Sequence, residues 1–135
     1  MTSIIIVEGN LTSNPRFNYT SSGKAVANLR VAVSSRRKGR DGEYTDTPPV
    51  FYDVTVWGTP AEHVANSLTG GDRVLICGRS WVEAYTDATG EERTRQVIDA
   101  DAIAVSLRYH TVTPVKPTRA PSGPFGLASD EPAEG

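Results

Sequence analysis

Two short segments of this sequence place large aromatic rings where a β-strand would leave them in water. In VFYDVTVW, residues 50–57, alternation puts Val50, Tyr52, Val54 and Val56 on one face and Phe51, Asp53, Thr55 and Trp57 on the other. The first set reads as core. The second mixes two rings with polar groups, and rings in water are costly unless a partner covers them. The segment 73–85 repeats the arrangement. Val74 and Ile76 share one face, and if the alternation survives Gly78, then Cys77, Arg79, Trp81, Glu83 and Tyr85 share the other. Unpaired nucleobases are natural partners for such rings, because every base has a π-face and stacking is worth roughly 1–3 kcal/mol per base. Packing under a loop or in a subunit interface would use the same rings.

A run of cations stands between the strand 24–33 and the ring-bearing segment 50–57. It reads Arg36-Arg37-Lys38-Gly39-Arg40, with Tyr44 close behind and Arg30 on the polar face of the preceding strand. Alone, a charge run is more often a solvated face. Beside aromatic platforms it is what a single-strand groove needs: cations follow the phosphates and rings take the bases.

Catalytic chemistry has little to work with. His63 falls on a helix face between apolar positions, His110 lies at a change of composition, and neither belongs to a metal or nucleophile motif. Cys77 reads as a small buried hydrophobe. Asp99 and Asp101 are spaced to share a strand face, where a solvated edge explains them. There is no glycine-rich phosphate loop. No enzymatic activity, metal or cofactor is expected.

The elements that must position the rings are short. Residues 4–7 (Ile-Ile-Ile-Val) suit a strand buried on both faces, interrupted at Gly9 and Asn10. Residues 16–20 make a second short strand. Residues 24–33 alternate, with Ala27, Leu29, Val31 and Val33 facing inward and Asn28 and Arg30 outward. Residues 34–49 form a long loop or a hairpin tip. One helix is well signalled: Thr59-Pro60-Ala61-Glu62 reads as a capping box with proline at the first helical position. Ala61, Val64, Ala65 and Leu68 follow on one face, and Gly70 and Gly71 can end it. Residues 73–85 form a long strand, residues 86–90 a hairpin turn, residues 92–98 the return, and residues 102–107 a last strand. Three strands, one helix and then further strands is the order of the OB-fold, an all-β five-stranded Greek-key barrel with a helix between strands 3 and 4.

The chain has 135 residues, enough for one domain and a tail. Residues 110–135 hold five of the nine prolines and little apolar periodicity, so they read as a disordered tail behind an ordered domain of residues 1–109. With 14 basic and 16 acidic side chains, net charge −2, the protein is no simple polycation, though a local basic patch remains open. The single cysteine excludes an internal disulfide. No apolar stretch approaches the ~20 residues of a membrane span. Without a secretory signal pattern at the N-terminus, a cytoplasmic location is expected.

The segments VEGNLTSNPRFNYTSSGKAVANLRVAV, FYDVTVWG, AEHVANSLTGGDRVLICGR and TDATGEERT resemble, in register over about residues 4–109, the bacterial single-stranded DNA-binding proteins, above all the actinobacterial form. The resemblance implies an OB-fold homotetramer that coats single-stranded DNA in replication, repair and recombination. It places the family's stacking aromatics on Phe51, Trp57 and Tyr85, and phosphate-compatible basic positions on Arg30, Arg79 and Arg93. Trp81 has no standard family counterpart. Three departures stand out. Arg37 or Lys38 occupies the place of a further loop aromatic, for which Tyr44 can substitute. The strand after Gly78, usually rich in Lys and Arg, reads Ser80-Trp81-Val82-Glu83-Ala84. The tail is short and ends in acids without the usual Pro-Phe tip that recruits partner proteins, as in a short-tailed paralogue. The competing expectation is an OB-fold interaction module whose aromatics bind protein.

Overall fold

The computed structural model describes residues 2–34, 36–46 and 48–116, with residues 36–38 and 44–46 described by backbone alone. In chain order the elements are β1 (Ser3–Leu11), β2 (Arg16–Tyr19), β3 (Ala25–Val33), β4 (Arg36–Lys38), β5 (Tyr44–Asp46), β6 (Val50–Trp57), α1 (Thr59–Ser67), β7 (Arg73–Thr86) and β8 (Glu92–Val105).

Alternation decides how these strands close. Ala27, Leu29 and Val31 of β3, Val54 and Val56 of β6, and Val74 and Ile76 of β7 point inward and are buried, as is Ile98 of β8. Each strand must pair on both edges to keep those residues dry, and five of them do so as a ring. β1 pairs with β7, β7 with β8, β8 with β6, β6 with β3, and β3 returns to β1 through Asn10↔Ala32 and Leu11↔Val31. All contacts are antiparallel except β6–β8. The helix lies between the third and fourth strands of this ring and places Ala61, Val64 and Leu68 into the core. This is the expected five-stranded OB barrel. β2 is an annex on the β3 edge, and β4–β5 form a separate hairpin between β3 and β6.

Several local expectations are corrected. β1 runs unbroken through Gly9 to Leu11, because a side chain at Gly9 would collide with the Ala32 carbonyl where β1 meets β3. It is buried on one face only: Val7 and Leu11 are inside, while Ile4 and Ile6 are 83% and 68% exposed. Val50 is exposed as well, beyond the end of the core. The helix has no capping box; its cap is Gly58 with no side-chain hydrogen bond, so it starts one residue early at Thr59. Ala65 is exposed, off the buried stripe. Cys77 is half-buried and faces outward.

The long β7–β8 ladder explains the rest. The register steps from Cys77↔Ala102 to Gly78↔Ala100, so the additional residue, Asp101, belongs to β8. β7 therefore keeps its alternation through Gly78, whose lack of a side chain admits the Asp99 carbonyl. The two strands expected at 92–98 and 102–107 are one bulged strand.

Past β8 the chain is tied back before it leaves the barrel. Ser106 Oγ and Arg73 Nε both donate to Glu8, at 3.0 and 3.1 Å, and hold its carboxyl below the usual range, the Arg73 hydrogen bond first. The Arg73 backbone N–H donates to His110 Nε2 at 3.0 Å. Residues 111–116 are exposed and irregular; the remainder of the expected tail, 117–135, lies outside the described residues.

Candidate nucleic-acid interface

The outward positions of β3, β6, β8 and β7 form one surface, and a groove of about 670 Å³ runs across it. Arg16 enters from β2, Asn28 and Arg30 from β3, and Asp53, Thr55 and Trp57 from β6. Arg95, Val97 and Asp99 enter from β8, and Trp81 and Glu83 from β7. Thr55 Oγ1 donates to Asn28 Oδ1 across the groove floor at 3.3 Å. The two tryptophans thus stand on strands separated by β8 and line the same groove. Phe51 and Tyr85 stand one same-face step beyond Asp53 and Glu83, at the ends of the lined stretch.

The rings are partly open to solvent: Phe51 is 42%, Trp57 39% and Tyr85 38% exposed. Each carries a cation over its face. Arg30 lies 4.7 Å from the Phe51 centroid, Lys24 Nζ 4.9 Å from Trp57, and Arg95 5.2 Å from Tyr85. Such contacts are within cation–π range. Trp81 is half-buried, and its Nε1 donates to Glu83 Oε2 at 3.2 Å.

Four arginines of this sheet, Arg30, Arg79, Arg93 and Arg95, are also paired with carboxylates. Arg30 is 3.6 Å from Asp53. Arg79 is 2.8 Å from Asp99 and 3.9 Å from Asp101, so those two acids share a cation rather than a bare solvated edge. Arg95 reaches Glu83 at 3.3 Å. Arg93 serves the β7–β8 turn, bonding Asp87 and, at 3.4 Å, Glu91. The Thr89 hydroxyl first, then Arg93 and the Glu91 N–H, hold the Asp87 carboxyl down to about 2.

The remaining expected residues belong to the β4–β5 hairpin. The backbone pairs Lys38 with Tyr44, Arg37 with Thr45 and Arg36 with Asp46. The side chains of Arg36, Arg37, Lys38 and Tyr44 lie outside the described residues. Arg40 is exposed at the tip. The hairpin is rooted where Val33 pairs with Val50, one residue from Phe51.

Residue types alone missed Lys24, Arg95 and Arg16 as parts of this surface; they placed Asp53 and Glu83 on the ring-bearing faces but gave them no role. Arg95 also answers the apparent lack of a base near Trp81: it is supplied from the facing strand. The signal is in the pairing register, which residue types do not carry.

Among the described residues, no group of three or more His, Cys, Asp or Glu is placed to hold a metal, and no helix is long and apolar enough to cross a membrane.

Residues 1–106 match the single-strand binding protein family. The chain belongs to that family. A single-stranded DNA-binding protein of Mycobacterium bovis is 43% identical over 129 residues, covering 95% of this chain and 77% of its own. Single-stranded DNA-binding protein 2 of Streptomyces coelicolor is 39% identical over 115 residues, 84% of this chain and 58% of its own. The crystal structure of a small single-stranded DNA-binding protein from Streptomyces coelicolor superposes with a TM-score of 0.71 at 31% identity, covering 78% of this chain and 94% of that one. Family membership and the barrel agree.

Proposed function

We propose that this chain binds single-stranded DNA with little regard to sequence, and that it does so in replication, repair and recombination. Bases stack on Phe51, Trp57, Trp81 and Tyr85, and phosphates follow Arg30, Arg79, Arg95 and the basic hairpin. The observation that carries this reading is the row of half-exposed rings on one sheet surface, each of the three family platforms with a cation against its face. Such a surface suits a flexible polyanion whose every unit offers a flat π-face. Base edges would meet mainly Asn28, Thr55 and paired charges, a small set for sequence readout.

The protein acts as a homo-oligomer in this reading, with a homotetramer as the expected state. The exposed Ile4 and Ile6 on β1, beside Leu75 on β7, support self-association. Residues 3–9 of β1 pair with β7 along one edge, and the β3 contacts begin only at Asn10, which leaves strand edge for a second copy.

Equilibrium binding to oligo-dT over a range of salt tests the function. Log affinity should fall linearly with log salt, with a slope of about −0.7 per neutralised phosphate. Duplex of equal length should compete poorly. Equal affinity for duplex, or no binding at low salt, would overturn the reading.

A further inference from the structure

Of the three ring–cation contacts on this surface, two are built as the same kind of three-residue unit. In one, Asp53 lies two residues from Phe51 on β6, and Arg30 is directly opposite Asp53 on β3. In the other, Glu83 lies two residues from Tyr85 on β7, and Arg95 is directly opposite Glu83 on β8. Each arginine is thereby diagonal to its ring, within reach of a long side chain. Both make the two contacts that this placement allows, 3.6 Å to Asp53 with 4.7 Å to Phe51, and 3.3 Å to Glu83 with 5.2 Å to Tyr85. Trp57 lacks the acid. Its cation, Lys24, precedes β3, and β6 has already ended where a facing residue would stand.

We propose that Asp53 and Glu83 are clasps. They hold Arg30 and Arg95 over the Phe51 and Tyr85 rings in the free protein, and single-stranded DNA takes the site by exchange. A base moves onto the ring, a phosphate takes the guanidinium, and the carboxylate is left to recruit a solution cation. This rests on the reading above that the surface binds single-stranded DNA. Asp53 and Glu83 act through the arginines and are positioning residues. The exchange has two physical consequences. The carboxylates lower affinity, because each arginine must leave a partner before it serves the phosphate. They also flatten the salt dependence, because a freed carboxylate takes up a cation as the phosphate gives one up. Strand release is then easier from the two clasped rings than from Trp57.

The test is oligo-dT affinity as a function of salt for the full chain and for Glu83→Gln and Asp53→Asn. Each amide keeps the size of the side chain, and Gln at 83 can still accept from Trp81 Nε1. Each variant should bind about two- to fivefold tighter, the range expected for releasing one exposed ion pair. Each salt slope should steepen by up to about 0.7. In an Arg95→Gln background, Glu83→Gln should give no gain. Unchanged affinity and slope in both variants, or weaker binding, would overturn the clasp. So would a gain that survives Arg95→Gln, which would mean simple removal of negative charge. Glu83 is on the long hairpin beyond the core, so its variant carries the test if Asp53→Asn fails to fold. No binding by the wild-type chain would instead sink the single-strand reading itself.

Discussion

The outward face of β7 is apolar in two different ways along its length. Near its start, Leu75 and Cys77 stand beside Ile4 and Ile6 of β1, a patch of aliphatic side chains and one thiol. Past Arg79, the same face carries Trp81, Glu83 and Tyr85, with Arg95 across from Glu83. Both stretches leave hydrophobic surface in water. In the first the charge is the Arg73–Glu8 pair beside Leu75, at its edge; in the second arginines and acids alternate with the rings. An aliphatic patch can be covered only by another apolar surface, whereas rings set among arginines match a polymer that alternates flat bases with phosphates. One strand thus presents a surface suited to a second copy and a surface suited to DNA, divided at Arg79 and its two carboxylates.

That division can be broken most directly by Phe51→Ala with Trp57→Ala. Oligo-dT binding should weaken by roughly 2–6 kcal/mol, one stacked base per ring, with the sedimentation profile unchanged. A double variant that changes oligomeric state as well would mean that the two surfaces are not separate. The converse variant is Ile6→Ser. It should cost roughly 1.5–3 kcal/mol of association for each copy buried, read as a shift to smaller species in sedimentation equilibrium. Its barrel should still fold, since Ile6 faces outward. Trp81→Ala is expected to lose about 1–3 kcal/mol of oligo-dT affinity, placing the partner-strand side of the groove in the binding path. The smallest effect concerns the turn. Asp87 has a lowered pKa, about 2 against 3.8, so its contribution to the turn is present above pH 3.8 and is lost as pH falls through 2. Protection factors at the Thr89 and Glu91 amides, taken against intrinsic rates at each pH, should fall over that window while those of the barrel amides hold.

Alternation and turn chemistry made the strands, the helix and the outward rings legible, because these follow from period and local propensity. The barrel order followed from the sequence of elements. What was not legible depended on pairing. That Arg95 rather than a neighbour on β7 attends Tyr85 follows from the register Glu83↔Arg95, which no one strand contains. The bulge at Asp101 joined two expected strands into one for the same reason. The exposure of Ile4 and Ile6 contradicts a run that local hydrophobicity reads as core, because β1 has the barrel on one side only. The helix cap failed at Thr59 because Gly58, held by its N–H to the Ala25 carbonyl at 2.9 Å, already turns the chain.

The central claim is that bases stack in the groove between the two tryptophans. Trp57 and Trp81 are the only tryptophans in the chain, so each can be made the sole reporter by changing the other to Phe. Fluorescence titration of Trp81→Phe and Trp57→Phe with oligo-dT at low and high salt then reads each side of the groove. The account predicts strong quenching in both proteins, weakening as salt rises. Folded proteins whose fluorescence is unmoved by oligo-dT, and which fail to compete for a labelled strand, would contradict it.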